Sequence, residues 1–256
     1  MPLLALLQQN KQHIACMTGE QILSWLCSAY GPDQVAKIEA TTRSQASSSK
    51  WHDYRKGVVT ASIAHTCFTR ATTFLQSAPT ATILPFLNLV LRTSSVCTPA
   101  MKAGIANEGK AKKDYLEFLA KHKHLASMRE VGFTLSGKLP ILGCSPDGVV
   151  TFTCECCEGQ EVLLEVKCPT KLENSFTNFE KQKRSLKREY RAQVNVQMGI
   201  LSITKAHVFV WTEQETKENH YCQCELSFER SLYEDLCSRI TKLYNEHVLH
   251  DLLDRV

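Results

Sequence analysis

Apolar positions recur at helical spacing through residues 1–40, where Ile22, Leu23, Trp25 and Leu26 form the clearest stripe. The pattern then lapses. Residues 41–50 (TTRSQASSSK) are polar, serine-rich and aperiodic. That predicts a linker between an N-terminal helical extension over 1–40 and a single domain over 51–256. Beyond it the periodicity is mixed. Residues 60–68 read as the start of a helix and 101–124 as a longer one, with Ile105, Ala111, Tyr115, Leu116 and Leu119 on its apolar face. Residues 130–135 and 141–152 read as strands about a Ser-Gly turn, and 161–167 (EVLLEVK) as a strand stopped by Cys168-Pro169. A helix over 190–202, strands over 207–212 and 221–228, and a final amphipathic helix with Leu232, Leu236, Ile240, Leu243 and Leu252 complete the chain. This order predicts an α/β fold with a central mixed sheet flanked by helices.

Composition narrows the setting. Hydrophobic residues make up 43% of the 256 and charged residues 22%, which is globular. No apolar run approaches the ~18 residues of a membrane span. The run over residues 3–7 lacks the basic flank and cleavage site of a secretory signal, so the chain is expected in the nucleus or cytoplasm, neither secreted nor membrane-bound. In that setting the twelve cysteines are expected as reduced thiols, most of them buried as small apolar groups. A net charge of +4 permits an anionic partner without identifying one.

Chemistry concentrates in Ser145-Pro146-Asp147-Gly148 and in Glu165-Val166-Lys167, eighteen positions after the aspartate. On neighbouring strands joined by a hairpin, alternation puts Glu165 and Lys167 on one face with Val166 turned away. The bend at Pro146 and Gly148 lets Asp147 face the same spot. Two carboxylates, an ammonium and the Val166 carbonyl suit a hard ion, Mg²⁺ or Mn²⁺. Such a centre fits phosphodiester hydrolysis, with Lys167 orienting water and offsetting negative charge. A Glu-x-Lys alone is usually a strand-edge ion pair; the Pro-Asp bend one hairpin upstream shifts the balance toward a site. Glu108 adds a third carboxylate, on the same helix side as Ile105, Ala111 and Tyr115, where an acid needs a partner or a metal.

Two other features stand apart. Residues 181–191 (KQKRSLKREYR) carry six cations and one acid, either as a solvated loop or as a phosphate contact just before the Gln193 helix. Cys154, Cys156 and Cys157 (CECC) lie in the hairpin between the two chemical strands, and Cys222 and Cys224 form a later pair. Their spacing is tighter than the usual C-x₂-C, and no fourth ligand stands out, so unligated thiols are expected. Serine-hydrolase and P-loop motifs are absent.

Read together, these blocks resemble the YqaJ-like viral recombinase and lambda exonuclease group of the PD-(D/E)xK nucleases. The resemblance runs from about Trp51 to Trp211. Its opening block, WHDYRKGVVTAS from Trp51, is followed by Gly104 to Glu108, by Cys144 to Gly148, by Leu164 to Pro169, and by Tyr190 to Val194. It implies a restriction-endonuclease-like core. It also implies two Mg²⁺ or Mn²⁺ ions held by Glu108, Asp147, Glu165 and the Val166 carbonyl, with Lys167 positioning the nucleophile and Gln193 beside the metals. Arg55, Thr60 and Ser62 would take a terminal 5′ phosphate, a role that a guanidinium fork and two hydroxyls suit. The implied activity is a metal-dependent 5′-to-3′ exonuclease on duplex DNA ends, serving recombination, end processing or a viral or mobile-element life cycle. A homo-oligomer and a recombination partner protein are compatible with it. An endonuclease on the same core, or a catalytically silent DNA-binding module, are the alternatives.

Overall fold

The computed structural model describes residues 1–74, 80–93, 98–180, 183–213 and 220–255, and it divides into two compact units. The second unit, Val96–Glu130 with Pro146–Phe228, holds a five-stranded sheet. Its strands run in the order Tyr221–Ser227, Lys205–Trp211, Glu161–Lys167, Gly148–Phe152 and Ala126–Arg129. The pair formed by Glu161–Lys167 and Lys205–Trp211 is parallel and the other pairs are antiparallel, so the sheet is mixed as expected. A parallel pair needs a long crossover, which here contains the helix Arg188–Leu201.

Burial explains why these segments take these positions. In the central strand Val162, Leu164 and Val166 face one way and pack with Ala111, Tyr115 and Leu119 of the helix Pro99–Lys121, and with Phe209 and Trp211. That helix begins at a Thr98 cap with proline in its first turn, two residues before the expected start. Its buried face begins at Ala111, because Ile105, expected on that face, is 59% exposed. Leu163, Glu165 and Lys167 alternate to the other side of the sheet, where the helix Arg188–Leu201 lies. A hairpin of Phe176–Glu180 and Lys183–Leu186, not expected from the pattern, precedes that helix. It takes up part of the basic stretch, whose residues 181 and 182 lie outside the described ones.

Two expected strands are each divided. Residues 141–152 form Leu142–Cys144 and Gly148–Phe152, which belong to different sheets. Pro146 between them has no N–H for a ladder, and the chain bends there. Residues 130–135 do not form one strand either. Ala126–Arg129 joins the five-stranded sheet and Thr134–Leu135 a smaller one, with Gly132 between them. Any Cβ at Gly132 would stand 1.9 Å from the Glu39 carbonyl oxygen, so only glycine lets the backbones approach there.

The first unit comprises Met1–Ser95, Val131–Ser145 and Glu229–Val256. The N-terminal periodicity resolves into four helices: Leu3–Gln9, Lys11–Ile14, Gly19–Ala29 and Pro32–Thr41. Thr18 and Gln21 cap the third reciprocally, and Pro32 opens the fourth. Ile22, Leu23 and Leu26 are buried, while Trp25 is half-buried at the edge beside His13. Residues 41–50, expected as a linker, have structure of their own. Thr42 is buried and accepts the Phe133 N–H, Gln45 to Ser47 form a helical turn, and Ser48 caps the helix Ser49–Arg55. The residues on both sides of that segment cluster in this one unit.

A three-stranded sheet sets Val59–Thr60 parallel to Leu142–Cys144, which pairs antiparallel with Thr134–Leu135. The helix Ala61–Phe74 follows Thr60 directly and packs on Arg230–Leu243. Gly57 takes a left-handed φ of 78°, and its carbonyl accepts the buried Tyr244 hydroxyl at 2.8 Å. The final helix is three segments, Arg230–Leu243, a π turn Tyr244–Val248, and Leu249–Arg255, with Leu236, Ile240, Leu243 and Leu252 buried and Leu232 half-buried. Among the described residues, no helix is long and apolar enough to cross a membrane.

Candidate functional site

Strand register sets the central geometry. Gly148 lies opposite Leu164 and Val149 opposite Leu163, so one further step brings Asp147 opposite Glu165. At that step a side chain replaces the ladder: Asp147 Oδ2 accepts the Val166 backbone N–H at 2.6 Å. Glu165 is only 4% exposed. Its Oε1 accepts from Lys167 Nζ at 2.7 Å and from Gln193 Nε2 at 2.5 Å, and its Oε2 from Gln197 Nε2 at 2.8 Å. Lys167 also donates to Gln193 Oε1 at 3.1 Å, and its ammonium lies 4.8 Å over the Tyr190 ring. Asp147, Glu165, Lys167 and Gln193 are therefore brought together, all within the second unit.

The charges here are in conflict. Burial, then the neighbouring charges of Glu165 and Glu108, push the Asp147 carboxyl well above the usual carboxylate range. Lys167 and the Val166 N–H pull the other way without prevailing. Burial opposes charge on Lys167, but Glu165 and Asp147 outweigh it and raise its ammonium above the ordinary lysine value. Lys167 is therefore a cation at neutral pH.

Glu108 differs from expectation. Its side chain is 34% exposed, and it pairs with Lys112 one turn along at 2.7 Å rather than lying among apolar residues. Lys112 is itself buried and also holds Glu130 at 3.1 Å. Burial opposes its charge, yet Glu108 beside it leaves a net rise. Glu108 lies near enough for its charge to act on Asp147.

The donor set fits a hard divalent cation. Three carboxylates and the Val166 carbonyl offer oxygen alone, and such an ion would offset both the burial of Asp147 and its crowding by Glu165 and Glu108, which together raise its carboxyl.

In the first unit, Thr60 and Ser62 pair with each other, and Arg92, which the pattern did not single out, links Thr60 to the backbone of Arg55. Arg55 stacks with its guanidinium carbon 3.6 Å from the Trp51 ring centroid, and the Trp51 indole donates to Ser145 Oγ at 2.9 Å. Thr60 Oγ1 and Ser62 Oγ are 3.0 Å apart. Arg92 Nη2 donates to Thr60 Oγ1 at 2.9 Å, and Arg92 Nε to the Arg55 carbonyl at 3.4 Å. Neither arginine has a carboxylate partner among the described residues. Burial, then Arg92, pulls the Arg55 guanidinium well below its ordinary value, and burial lowers Arg92 too. Arg92 thus links the Thr60 hydroxyl to the backbone of Arg55, and the two half-buried guanidinium groups carry positive charge that an anion would offset.

Sequence reasoning missed Gln197, Lys112, Tyr190 and Arg92. The first two could have been found, since each stands four residues after a recognised site residue on a helix. Arg92 gave no local signal.

Residues 50–207 match the model of the YqaJ-like viral recombinase domain. No curated protein matches the chain. Among solved structures, the alkaline exonuclease LHK-Exo from Laribacter hongkongensis is similar at TM-score 0.60 and 19% identity, covering 81% of this chain and 97% of its own. A SOX–DNA complex is similar at TM-score 0.55 and 12% identity, covering 94% of this chain and 74% of its own. The Shutoff and Exonuclease Protein from Kaposi's sarcoma-associated herpesvirus gives TM-score 0.51 and 12% identity, covering 94% and 75%. At these identities the likeness is one of fold, the restriction-endonuclease-like fold that the sequence motifs imply. Since the family model spans more than half of its length, the chain belongs to the YqaJ-like viral recombinase domain family.

Proposed function

We propose that this chain is a metal-dependent DNA exonuclease that digests duplex DNA from 5′ ends, in recombination, end processing or a viral or mobile-element life cycle. One observation carries the reading. Asp147 stands opposite Glu165 across two paired strands, and Lys167 is held charged between Glu165 and Gln193. Glu108, Asp147, Glu165 and the Val166 carbonyl would hold Mg²⁺ or Mn²⁺, as two ions. When bound, such ions polarise the phosphate and acidify water. Lys167 orients the attacking water and stabilises charge gathering on phosphate oxygens, because its ammonium is fixed before substrate arrives. Gln193 holds that ammonium in place from the side of the scissile strand.

End selection belongs to the first unit. Arg55, Thr60 and Ser62, joined by Arg92, take the terminal 5′ phosphate. Arg188, exposed at the start of the Gln193 helix, adds contacts to phosphate that are independent of base sequence. The names of the similar structures, an alkaline exonuclease and a complex with DNA, agree with this reading.

The deciding assay offers end-labelled linear duplexes, with and without a 5′ phosphate, beside a closed circle in Mg²⁺. The phosphorylated duplex should be shortened from its 5′ ends, the circle should survive, and EDTA or Asp147→Ala should stop the reaction. Cutting of the closed circle would favour an endonuclease. Near-normal activity of Asp147→Ala would remove the metal centre from the mechanism.

A further inference from the structure

The CECC hairpin lacked only a fourth ligand in the sequence, and the fold supplies one. The strands Ala126–Arg129 and Gly148–Phe152 pair antiparallel with Ala126 opposite Phe152, and two further steps in that register put His124 opposite Cys154. The chain holds it there. Lys123 takes a left-handed φ of 62° after the long helix, the His124 N–H closes on the Leu119 carbonyl, and the Thr153 N–H bonds the Leu125 carbonyl at 2.8 Å. On the other side the loop folds tightly. The Cys157 N–H bonds the Cys154 carbonyl, and the Gly159 N–H returns to Phe152.

Four ligand atoms consequently meet. His124 Nδ1 lies 3.6 Å from each of Cys154 Sγ, Cys156 Sγ and Cys157 Sγ. The sulfurs are 3.1 Å apart for Cys154–Cys157, 3.4 Å for Cys154–Cys156 and 3.6 Å for Cys156–Cys157. These six separations are the edges of a tetrahedron. With Zn–S of about 2.3 Å and Zn–N of about 2.0–2.1 Å, tetrahedral zinc requires S···S edges of about 3.8 Å and S···N edges of about 3.6 Å. The S···N edges agree, and the sulfurs need to part by about 0.2–0.7 Å, most for the Cys154–Cys157 pair. No pair is a disulfide, whose S–S length is about 2.0 Å, and the four ligand atoms lie within 4.8 Å of one another.

The geometry points to a structural zinc site formed by His124, Cys154, Cys156 and Cys157. Three thiolates and an imidazole are soft ligands, unlike the oxygen set at Asp147, and a tetrahedral arrangement of them selects zinc over magnesium. Four protein ligands leave no open position, so the site is structural and not catalytic. Its place in the fold gives it a task. It clamps the C-terminal end of the helix carrying Glu108 to the hairpin whose two strands carry Asp147 and Glu165, at the ends of those elements remote from the carboxylates. The crowding of three cysteines in an otherwise polar turn, unexplained as isolated thiols, is then a ligand set. The fourth ligand that the cysteine spacing lacks is supplied from 30 positions away in the chain.

Metal analysis of the full chain, purified reduced and without chelators, should find about one zinc per chain. The double variant Cys154→Ser/Cys157→Ser should lose it and melt at a lower temperature. Asp147→Ala and Cys16→Ser should keep it, which separates this site from the nuclease reading. Cobalt exchanged into the wild-type protein should show the thiolate charge-transfer and intense visible bands of tetrahedral coordination, a readout that requires no variant to fold. Wild-type protein that retains no zinc after incubation with zinc and dialysis, cobalt spectra of octahedral oxygen ligation, or a Cys154–Cys157 disulfide in freshly purified reduced protein would each overturn the site.

Discussion

Lys167 Nζ stands 2.7 Å from Glu165 Oε1, and the two side chains share Gln193, whose amide donates to the carboxylate while its oxygen accepts from the ammonium. Gln197 holds the other carboxylate oxygen. Both Glu165 oxygens are thus fixed in direction before any metal or substrate binds. Preorganisation of this kind lowers the reorganisation needed when charge develops.

Removing either amide should therefore slow turnover without abolishing binding. Gln193→Ala and Gln197→Ala are expected to lower kcat by about 10–100-fold, the usual effect of losing a group that orients a ligand. KM for duplex DNA should change little, since phosphate contacts lie elsewhere. Steady-state kinetics decide the matter. Wild-type kcat in both variants would show that the amides merely fill space.

Asp147 makes a second prediction, about stability rather than rate. Its carboxyl is raised in the folded chain by burial and by Glu165 and Glu108. A raised acid favours the fold while protonated, and that contribution is lost as pH rises through the folded value. Above the ordinary carboxylate range, Asp147 therefore weakens the metal-free protein, because its carboxyl ionises less readily in the folded chain than in the unfolded one. Asp147→Asn, neutral throughout and still able to accept the Val166 N–H, should melt higher than wild type in EDTA. The gap should close as pH falls below the ordinary carboxylate range. Mg²⁺ should raise the wild type selectively, because a ligand stabilises only the state it binds. A lower melting temperature for Asp147→Asn at every pH would contradict this account.

Gly132 tests the fold of the first unit. An alanine there must displace the Glu39 backbone, which cannot rotate away as a side chain would. Gly132→Ala should cost at least the about 1–3 kcal/mol typical of overpacking, with each kcal/mol lowering Tm by about 2–4 °C in a chain of this size. Gly137→Ala, with open space around its Cβ, is the matched control and should be silent.

How far the sequence could be read follows from the range over which each signal acts. The central strand was legible because Val162 to Val166 is an apolar run with an acid on alternate phase to the core, and the Pro146 bend marked its partner. Mixed order was legible from the helix between two strands. The points where the chain leaves one sheet for another, at Gly132 and Pro146, were not, since alternation continues through both while the partner strand changes. Phe176 and Phe179 supply too few apolar positions to announce a hairpin. Arg92 meets Thr60 across 32 positions, and His124 meets Cys154 across 30, so no local pattern could pair them.

Arg92 sharpens the last prediction, which concerns choice of DNA end. Arg55 and Arg92 are half-buried beside each other without a carboxylate among the described residues, and both guanidinium groups are lowered by burial. A guanidinium keeps its proton in such a setting, so the pocket holds two poorly compensated cations. A phosphate dianion relieves both at once, whereas a 5′ hydroxyl relieves neither. Wild-type protein should prefer the 5′-phosphorylated duplex. Arg55→Ala should lose that preference, since a charge-assisted hydrogen bond is worth about 1.5–3 kcal/mol, roughly tenfold or more in rate or affinity. Arg92→Ala should weaken it as well, through the lost charge and through Thr60, whose hydroxyl it orients. Arg55→Lys should restore charge but not the planar stack on Trp51, and so recover the preference only in part. Digestion from an internal nick lacking a 5′ phosphate should be similar in all four proteins, because the carboxylates are untouched. A wild-type protein indifferent to the phosphate, or an Arg55→Ala variant that keeps the preference, would detach this pocket from end recognition while leaving the Asp147 centre in place.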